Sequence, residues 1–294
     1  MMKILICIIS VFFLMTSFGN ADVETILKEI KNNKDLVQGF KRVKDVNGKF
    51  QNWRPNHPAI LKSDKDTRKH VLKIVKKSDN FPVRLGEQSL RFEVRNGDGW
   101  GWDKKNDRER VELMICCVNK KTTWTAWSIF LPEDYKTLFP TKTMLGQFHN
   151  DGDNPPAFAF ENQGVLIPDS YWLEVDRYIG GNNNNPKLLI DQRDMLGKWN
   201  DILVNVKWTD KKDGFLKVWI NGNLKAQHIG MTKEKIDNMV FHIGIYRSFI
   251  SRTPGPDPTQ VVYYDEVRHG NKCKKLKLKE LGYSCKDIES QTFK

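Results

Sequence analysis

Phe215-Leu216-Lys217-Val218-Trp219-Ile220-Asn221-Gly222-Asn223-Leu224-Lys225-Ala226-Gln227-His228 is the stretch from which the fold is read. Two β-favouring runs flank an Asn-Gly pair. Asn and Gly are the residues that tolerate the positive φ angles of a two-residue hairpin turn, so the stretch reads as two antiparallel strands. Outward from it the same kind of segment recurs between turn signals: Val71–Val75, Ser89–Arg95, Arg110–Val118, Trp124–Leu131, Met144–His149, Ala157–Phe160, Tyr171–Tyr178, Ile202–Trp208, Val240–Tyr246 and Val261–Arg268. Gly/Pro/Asn/Asp clusters such as Gly97-Asp98-Gly99, 151–156, 180–186 and 254–258 are loops. Many short strands, few helices and no long repeat imply an all-β fold, a two-sheet β-sandwich of the jelly-roll, concanavalin A-like type. The helical period of Val23, Ile26, Leu27, Ile30, Leu36 and Val37 predicts one or two short N-terminal helices between Asp22 and about Phe40. No linker divides the chain, which predicts one domain over 22–294.

Three of the strand-like segments carry polar side chains two residues apart: Arg108-Glu109-Arg110-Val111-Glu112-Leu113, Gly146-Gln147-Phe148-His149-Asn150 and Phe241-His242-Ile243-Gly244-Ile245-Tyr246-Arg247-Ser248. Residues i, i+2 and i+4 of a strand share a face. Arg108, Arg110 and Glu112 therefore lie together, as do Gln147 and His149, and His242, Tyr246 and Ser248. Gathered inside one curved sheet, these groups suit β-elimination next to a uronic acid. There the C5 proton lies α to a carboxylate, so charge builds on that carboxylate as the proton leaves. Arg110 and Gln147 suit its neutralisation. His149 and Tyr246 suit proton removal and protonation of the departing glycosidic oxygen, each worth about 10² to 10⁴ in rate. Arg108, Glu112, Arg95, His242, Arg247 and Trp102 are candidates for holding the sugar, with Trp100, Trp127 and Trp172 as further flat faces.

In order and approximate spacing, Arg110-x-Glu112-Leu113, Gln147-x-His149 and His242-x-Gly244-x-Tyr246 resemble the three signature strands of the jelly-roll polysaccharide lyases. The family-seven alginate lyases carry them as R-x-E-L, Q-I-H and Y-x-K-x-G-x-Y-x-Q. Arg91 to Arg95, Gly244 to Ser248, Trp208 with Asp213 to Gly222, and Tyr264 to Val267 look more like the glucuronan lyase and heparin lyase I group. The resemblance runs from about Ser89 to Gly270. It implies Tyr246 as the acid, with a further part as base, and His149 as base or proton partner. Gln147 and Arg110 would neutralise the carboxylate. His242 stands where the alginate lyases have Lys, Ser248 where they have Gln, and Met114 replaces the second Arg of the first block. Some relatives bind calcium, for which Asp265 and Glu266 are the candidates; the chemistry itself needs no cofactor.

A competing class is a non-catalytic, lectin-like carbohydrate-binding module. It would use aromatic rings and cations but has no need of proton carriers, so the Gln-x-His and Gly-x-Tyr pairing favours an enzyme. A glycoside hydrolase needs paired carboxylates, and the nearest, Glu174-Val175-Asp176, has Tyr178 where a second same-face Glu would be wanted.

The 294 residues hold 48 Lys and Arg against 36 Asp and Glu, a net charge of +12. That balance suits an anionic polysaccharide, and no motif points to nucleic acid. Met1-Met2-Lys3, the apolar run from Ile4 to about Met15, and Gly19 and Ala21 read as a signal peptide over 1–21. This predicts a periplasmic or secreted protein, free of the membrane after cleavage and monomeric. Export permits disulfides, and Cys273 with Cys285 is the expected bridge, worth roughly 3 kcal/mol on the loop-entropy model. Adjacent Cys116 and Cys117 point to opposite faces of a strand and are expected as buried thiols.

Overall fold

In the computed structural model of the chain, the described residues are 23–33, 36–38, 43–44, 50–51, 53–55, 69–99, 101–116, 118, 121–150, 155–163, 170–182, 185–235 and 239–293. The expected signal peptide, Trp100, the 151–154 loop, Cys117 and the Cys116 side chain lie outside them. In chain order the strands are β1 (Val37–Gln38), β2 (Val43–Lys44), β3 (Phe50–Gln51), β4 (Trp53–Pro55), β5 (Leu72–Lys76), β6 (Gln88–Val94), β7 (Arg108–Cys116), β8 (Thr122–Phe130), β9 (Lys142–Asn150), β10 (Phe158–Gln163), β11 (Tyr171–Val175), β12 (Lys187–Ile190), β13 (Trp199–Lys207), β14 (Gly214–Ile220), β15 (Asn223–Gly230), β16 (Met239–Ser248) and β17 (Gln260–Gly270). The α-helices are α1 (Val23–Asn32), α2 (Gly101–Lys105), α3 (Gln192–Met195) and α4 (Cys285–Ser290).

All but β2 and β3, which pair only with each other, form two large sheets. One has the order β15-β14-β13-β8-β17-β6-β5, with β1 added alongside β17; the other has the order β12-β11-β10-β9-β16-β7-β4. Alternation does the packing. Phe92 and Val94, Trp127 and Ile129, and Val204 and Val206 from the first sheet meet Val111 and Leu113, Phe158 and Phe160, and Phe241, Ile243 and Ile245 from the second. Each such side chain contributes about 1.5–3 kcal/mol by leaving water. The β14–β15 hairpin turns on Asn221 and Gly222 with φ of 48° and 81°, the pair of positive angles the Asn-Gly reading required. Helix α1 buries Ile26 and Ile30, one turn apart. The chain after it does not continue as helix: Val37 and Gln38 pair in parallel with Val267 and Arg268.

Two features decide where a site can form. The outer face of the larger sheet is covered by the C-terminal segment, whose Leu276, Leu278, Leu281 and Ile288 pack on Trp124, Ala126, Leu203 and Trp219. The Cys273–Cys285 disulfide ties that segment, its Cα atoms 5.8 Å apart. The outer face of the seven-stranded sheet instead carries polar side chains. Its centre is shaped by a register shift between β16 and β9 from His242 to Tyr246. Gly244 sits there at φ 138°, and a Cβ on it would lie 2.2 Å from the Val111 carbonyl oxygen, so no larger residue fits. The Tyr264 hydroxyl reaches through the core to the carbonyl oxygens of Gly244, at 2.8 Å, and Leu145, satisfying acceptors at the bulge.

Candidate active site on the seven-stranded sheet

Strands β7, β16 and β9 are neighbours, and their register sets the site. Across β7 and β16, Arg110 faces Tyr246, Glu112 faces Gly244 and Met114 faces His242. Across β16 and β9, His242 faces Gln147 and Val240 faces His149. Since Val111, Leu113, Ile243 and Ile245 belong to the core, the alternating positions Arg108, Arg110, Glu112, His242, Tyr246, Gln147 and His149 point to the opposite, outer face.

Glu112 is the hub. Buried at 1 % exposure, it accepts a hydrogen bond from Gln147 Nε2 at 2.6 Å. His242 Nδ1 lies 3.5 Å and an Arg110 nitrogen 3.7 Å from its other oxygen. Burial pushes its carboxyl toward the neutral form, but the His242, Arg110 and Gln147 donors outweigh burial and hold it below the usual carboxylate range. It is therefore an anion at neutral pH, with its donors fixed around it.

His149 stacks beside His242, ring centroids 5.9 Å apart and planes 12° from parallel. Its Nδ1 lies 2.5 Å from the Asn150 carbonyl oxygen. A carbonyl can only accept, so Nδ1 carries the proton and the neutral ring has its lone pair on Nε2. Burial, helped by His242 and Arg110 and opposed by the Asn150 bond and Glu112, lowers its pKa from the ordinary histidine value. A neutral imidazole with a bare Nε2 is a base ready to act.

Tyr246 is a buried phenol flanked by two guanidinium groups, Arg110 at 4.3 Å and Arg108 at 5.8 Å from the ring centre. Burial raises its pKa above the ordinary phenol value, while Arg110 and then Arg108 pull it back. Tyr246 is thus protonated at neutral pH, beside cations that would stabilise the phenolate it becomes after giving up its proton.

The two arginines differ. Helix α2 brings Asp103, 1 % exposed, onto Arg110. The Arg110 Nε lies 2.8 and 3.0 Å from the two Asp103 oxygens, and a terminal nitrogen also donates to Asp103. Arg108 pairs with no carboxylate among the described residues and is lined by rings: Trp102 at 5.1 Å, Tyr246 at 5.8 Å and Phe249 at 5.9 Å. Its buried Nε has no hydrogen-bond partner among the described residues.

One strand away on the same face, Lys142 Nζ bridges Glu161 at 3.0 Å and Glu174 at 2.6 Å. Glu161 is pushed up to about 8 by burial, against the pull of Lys142 and with the repulsion of Glu174. Trp172 pairs with Glu161 across β10 and β11.

The fold brings together eight of the residues expected from sequence: Arg108, Arg110, Glu112, Gln147, His149, His242, Tyr246 and Trp102. Arg247 is not among them. The alternation that turns Tyr246 outward turns Arg247 inward, where its fully buried guanidinium bonds to Glu109 and to the Pro258 carbonyl. Arg95 lies just beyond the end of β6 in the other sheet, where its Nε bonds to Glu93. Trp127 is a core residue, packed on Phe160 and Phe241. Asp265 and Glu266 do not fit a calcium site, which needs six to eight oxygen ligands. Asp265 accepts from the backbone N–H groups of Arg84, Leu85 and Glu266, and Glu266 pairs with Arg268. Desolvation and Glu266 also push Asp265 up to about 7. Among the described residues no three His, Cys, Asp or Glu side chains cluster as metal ligands. Sequence reasoning missed Asp103 and the Lys142–Glu161–Glu174 group. Asp103 falls outside any strand period, and its one signal is its place beside Trp102 in a Gly/Asp-rich segment.

No curated protein matches the sequence at a significant level. Among solved structures, the chain is similar to an endo-β-1,4-glucuronan lyase from the fungus Trichoderma reesei, at 18 % identity over 70 % of this chain and 89 % of that one, with a TM-score of 0.54. It is also similar to an alginate lyase from Pseudomonas aeruginosa, at 16 % identity over 75 % and 98 % of the two chains, TM-score 0.52. A glycoside hydrolase family 131 catalytic domain from Coprinopsis cinerea aligns at 12 % identity over 78 % and 87 %, TM-score 0.52. Likenesses at these identities establish the jelly-roll sandwich, which serves more than one chemistry. The sequence itself goes further, since residues 48–268 match the family model described as polysaccharide lyase, a span holding every strand of the Glu112-centred face. The chain belongs to the polysaccharide lyase family.

Proposed function

We propose that this polysaccharide lyase is exported and cleaves a uronate-containing anionic polysaccharide by β-elimination. The observation that carries the reading is the pairing on one sheet face of a neutral histidine, its lone pair on Nε2, with a protonated tyrosine flanked by guanidinium groups. His149 Nε2 takes the C5 proton, and the electron pair left behind forms the C4–C5 double bond as the C4–O bond breaks. Tyr246 gives its proton to the departing oxygen and regains one from solvent, directly or relayed from His149. Positive charge from β7 stabilises the carboxylate while it carries the developing charge. The likeness to glucuronan and alginate lyases supports a uronate polymer as substrate, and the net charge of +12 suits a polyanion. Export rests on the N-terminal apolar run; no helix among the described residues is long and apolar enough to cross a membrane.

Hydrolysis is disfavoured by a specific contact. The outer-face carboxylates Glu161 and Glu174 have the Lys142 ammonium between them at 3.0 and 2.6 Å, where an anomeric carbon or attacking water would have to sit. The test is incubation with glucuronan, alginate, heparin, ulvan and hyaluronan while following the ultraviolet absorbance of an unsaturated uronate. At least one polymer should yield it, and Tyr246→Phe should abolish it. Tight binding without the double bond would make the protein a carbohydrate-binding module.

A further inference from the structure

We infer that Arg108, rather than Arg110, receives the substrate carboxylate, and that Asp103 is a positioning residue that keeps Arg110 on the Tyr246 ring. The inference deepens the β-elimination reading and rests on it for the identity of the ligand. A guanidinium that neutralises a substrate carboxylate needs a free donor edge. Arg110 is already matched by carboxylates: its Nε and one terminal nitrogen bond to Asp103, and its other terminal nitrogen lies 3.7 Å from the buried Glu112. A third carboxylate brought to Arg110 would meet two anions already there. Gln147 is similarly engaged, its amide N–H₂ donating to Glu112 at 2.6 Å.

Arg108 has the opposite surroundings. It projects from the same face of β7 one alternation away. No acidic side chain pairs with it among the described residues, and its neighbours are Trp102, Tyr246 and Phe249. Apolar walls lower the local dielectric and strengthen the pull on an incoming anion. A buried Nε without a partner is a donor that a carboxylate would satisfy. Trp102, 56 % exposed, offers a face for the pyranose ring that bears the carboxylate. Tyr246 borders the same pocket, so the bound uronate lies next to the acid. Arg110, held 4.3 Å over the Tyr246 ring, instead favours the phenolate formed as the proton is given up.

The experiment compares a uronate polymer with its methyl ester, in which the carboxyl carries no charge. Arg108→Gln should lower the acid-to-ester ratio of kcat/KM about 100-fold, the scale of losing one donor to a developing oxyanion; Arg108→Lys should recover part of it. A folding defect depresses both substrates alike and leaves the ratio unmoved. Asp103→Asn should lower kcat while KM and the ratio stay put, with Asp103→Glu restoring part of kcat. In a Tyr246→Phe background, which removes turnover, Arg108→Gln should weaken binding of a uronate oligomer at least 10-fold and of its ester by less than 3-fold. If product forms but the ratio collapses in Arg110→Gln and not in Arg108→Gln, the assignment is overturned while the lyase reading stands. If no polymer yields product yet binding depends on Arg108 in this way, the elimination reading fails and the anchor stands. Uronate binding indifferent to Arg108 removes the anchor whatever the activity.

Discussion

Replacing Glu112 with Gln probes the hub on which the site is built, and the structure sets the size of the effect. The substitution removes a buried anion that accepts from Gln147 at 2.6 Å and lies 3.5 Å from His242 Nδ1. Loss of the charge-assisted bond costs about 1.5–3 kcal/mol. The new amide must turn its own N–H₂ toward Gln147 or His242, leaving a buried donor unsatisfied at about 1–3 kcal/mol more. Arg110 keeps Asp103, so its 3.7 Å contact with Glu112 adds little. The total of about 2.5–6 kcal/mol lowers Tm by roughly 5–24 °C for a chain of this length. The pH dependence gives a sharper signature. A carboxyl held below its usual value stabilises the fold fully above its unfolded pKa, near 4.3, and that stabilisation is lost as pH falls through the lower folded value. Melting curves of both proteins from pH 3 to 8 should therefore show the full gap at neutral pH, closing in acid below about pH 4. Product formation should fall about 100-fold at neutral pH, because Gln147 and His242 lose the group that aligns them. A gap under about 1 °C at pH 7, or one that persists unchanged into acid, would refute the reasoning.

Other outcomes follow from the same geometry. Because His149 acts neutral and its pKa is lowered by burial, kcat should hold as pH drops past the ordinary histidine value and fail only below it; a pH–rate profile with an acid limb well above 6.5 would contradict this. Gly244→Ala forces a Cβ to within 2.2 Å of the Val111 carbonyl, which should part β7 from β16, lower Tm by several degrees and depress kcat together with it. Replacing Cys273 and Cys285 with Ser should reduce stability by about 3 kcal/mol, read in urea, and leave KM unchanged, since the bridge lies over the opposite sheet.

Much of this molecule was legible in its residues because strand alternation is a local rule. Asn221-Gly222 specified its hairpin through two positive φ angles. Arg108, Arg110 and Glu112 had to share a face, as did Gln147 and His149, whatever lay beside them. The same rule also placed Arg247 opposite Tyr246, and the charge of Arg247 made it a tempting candidate that its position forbids. Strand β12, Lys187–Ile190, went unread because its short run after the Asn tract carries no clear period. What a strand's own residues cannot express is which donor meets which acceptor across strands. Arg108 and Arg110 are equivalent in sequence, two residues apart on one face. Both lie over the Trp102 and Tyr246 rings, and only the folding of α2 against β7 gives Asp103 to Arg110 and not to Arg108. Faces follow from the backbone's period, so composition and spacing suffice to find them. The availability of a charge depends on neighbours far along the chain, and it exists only once tertiary packing has chosen them.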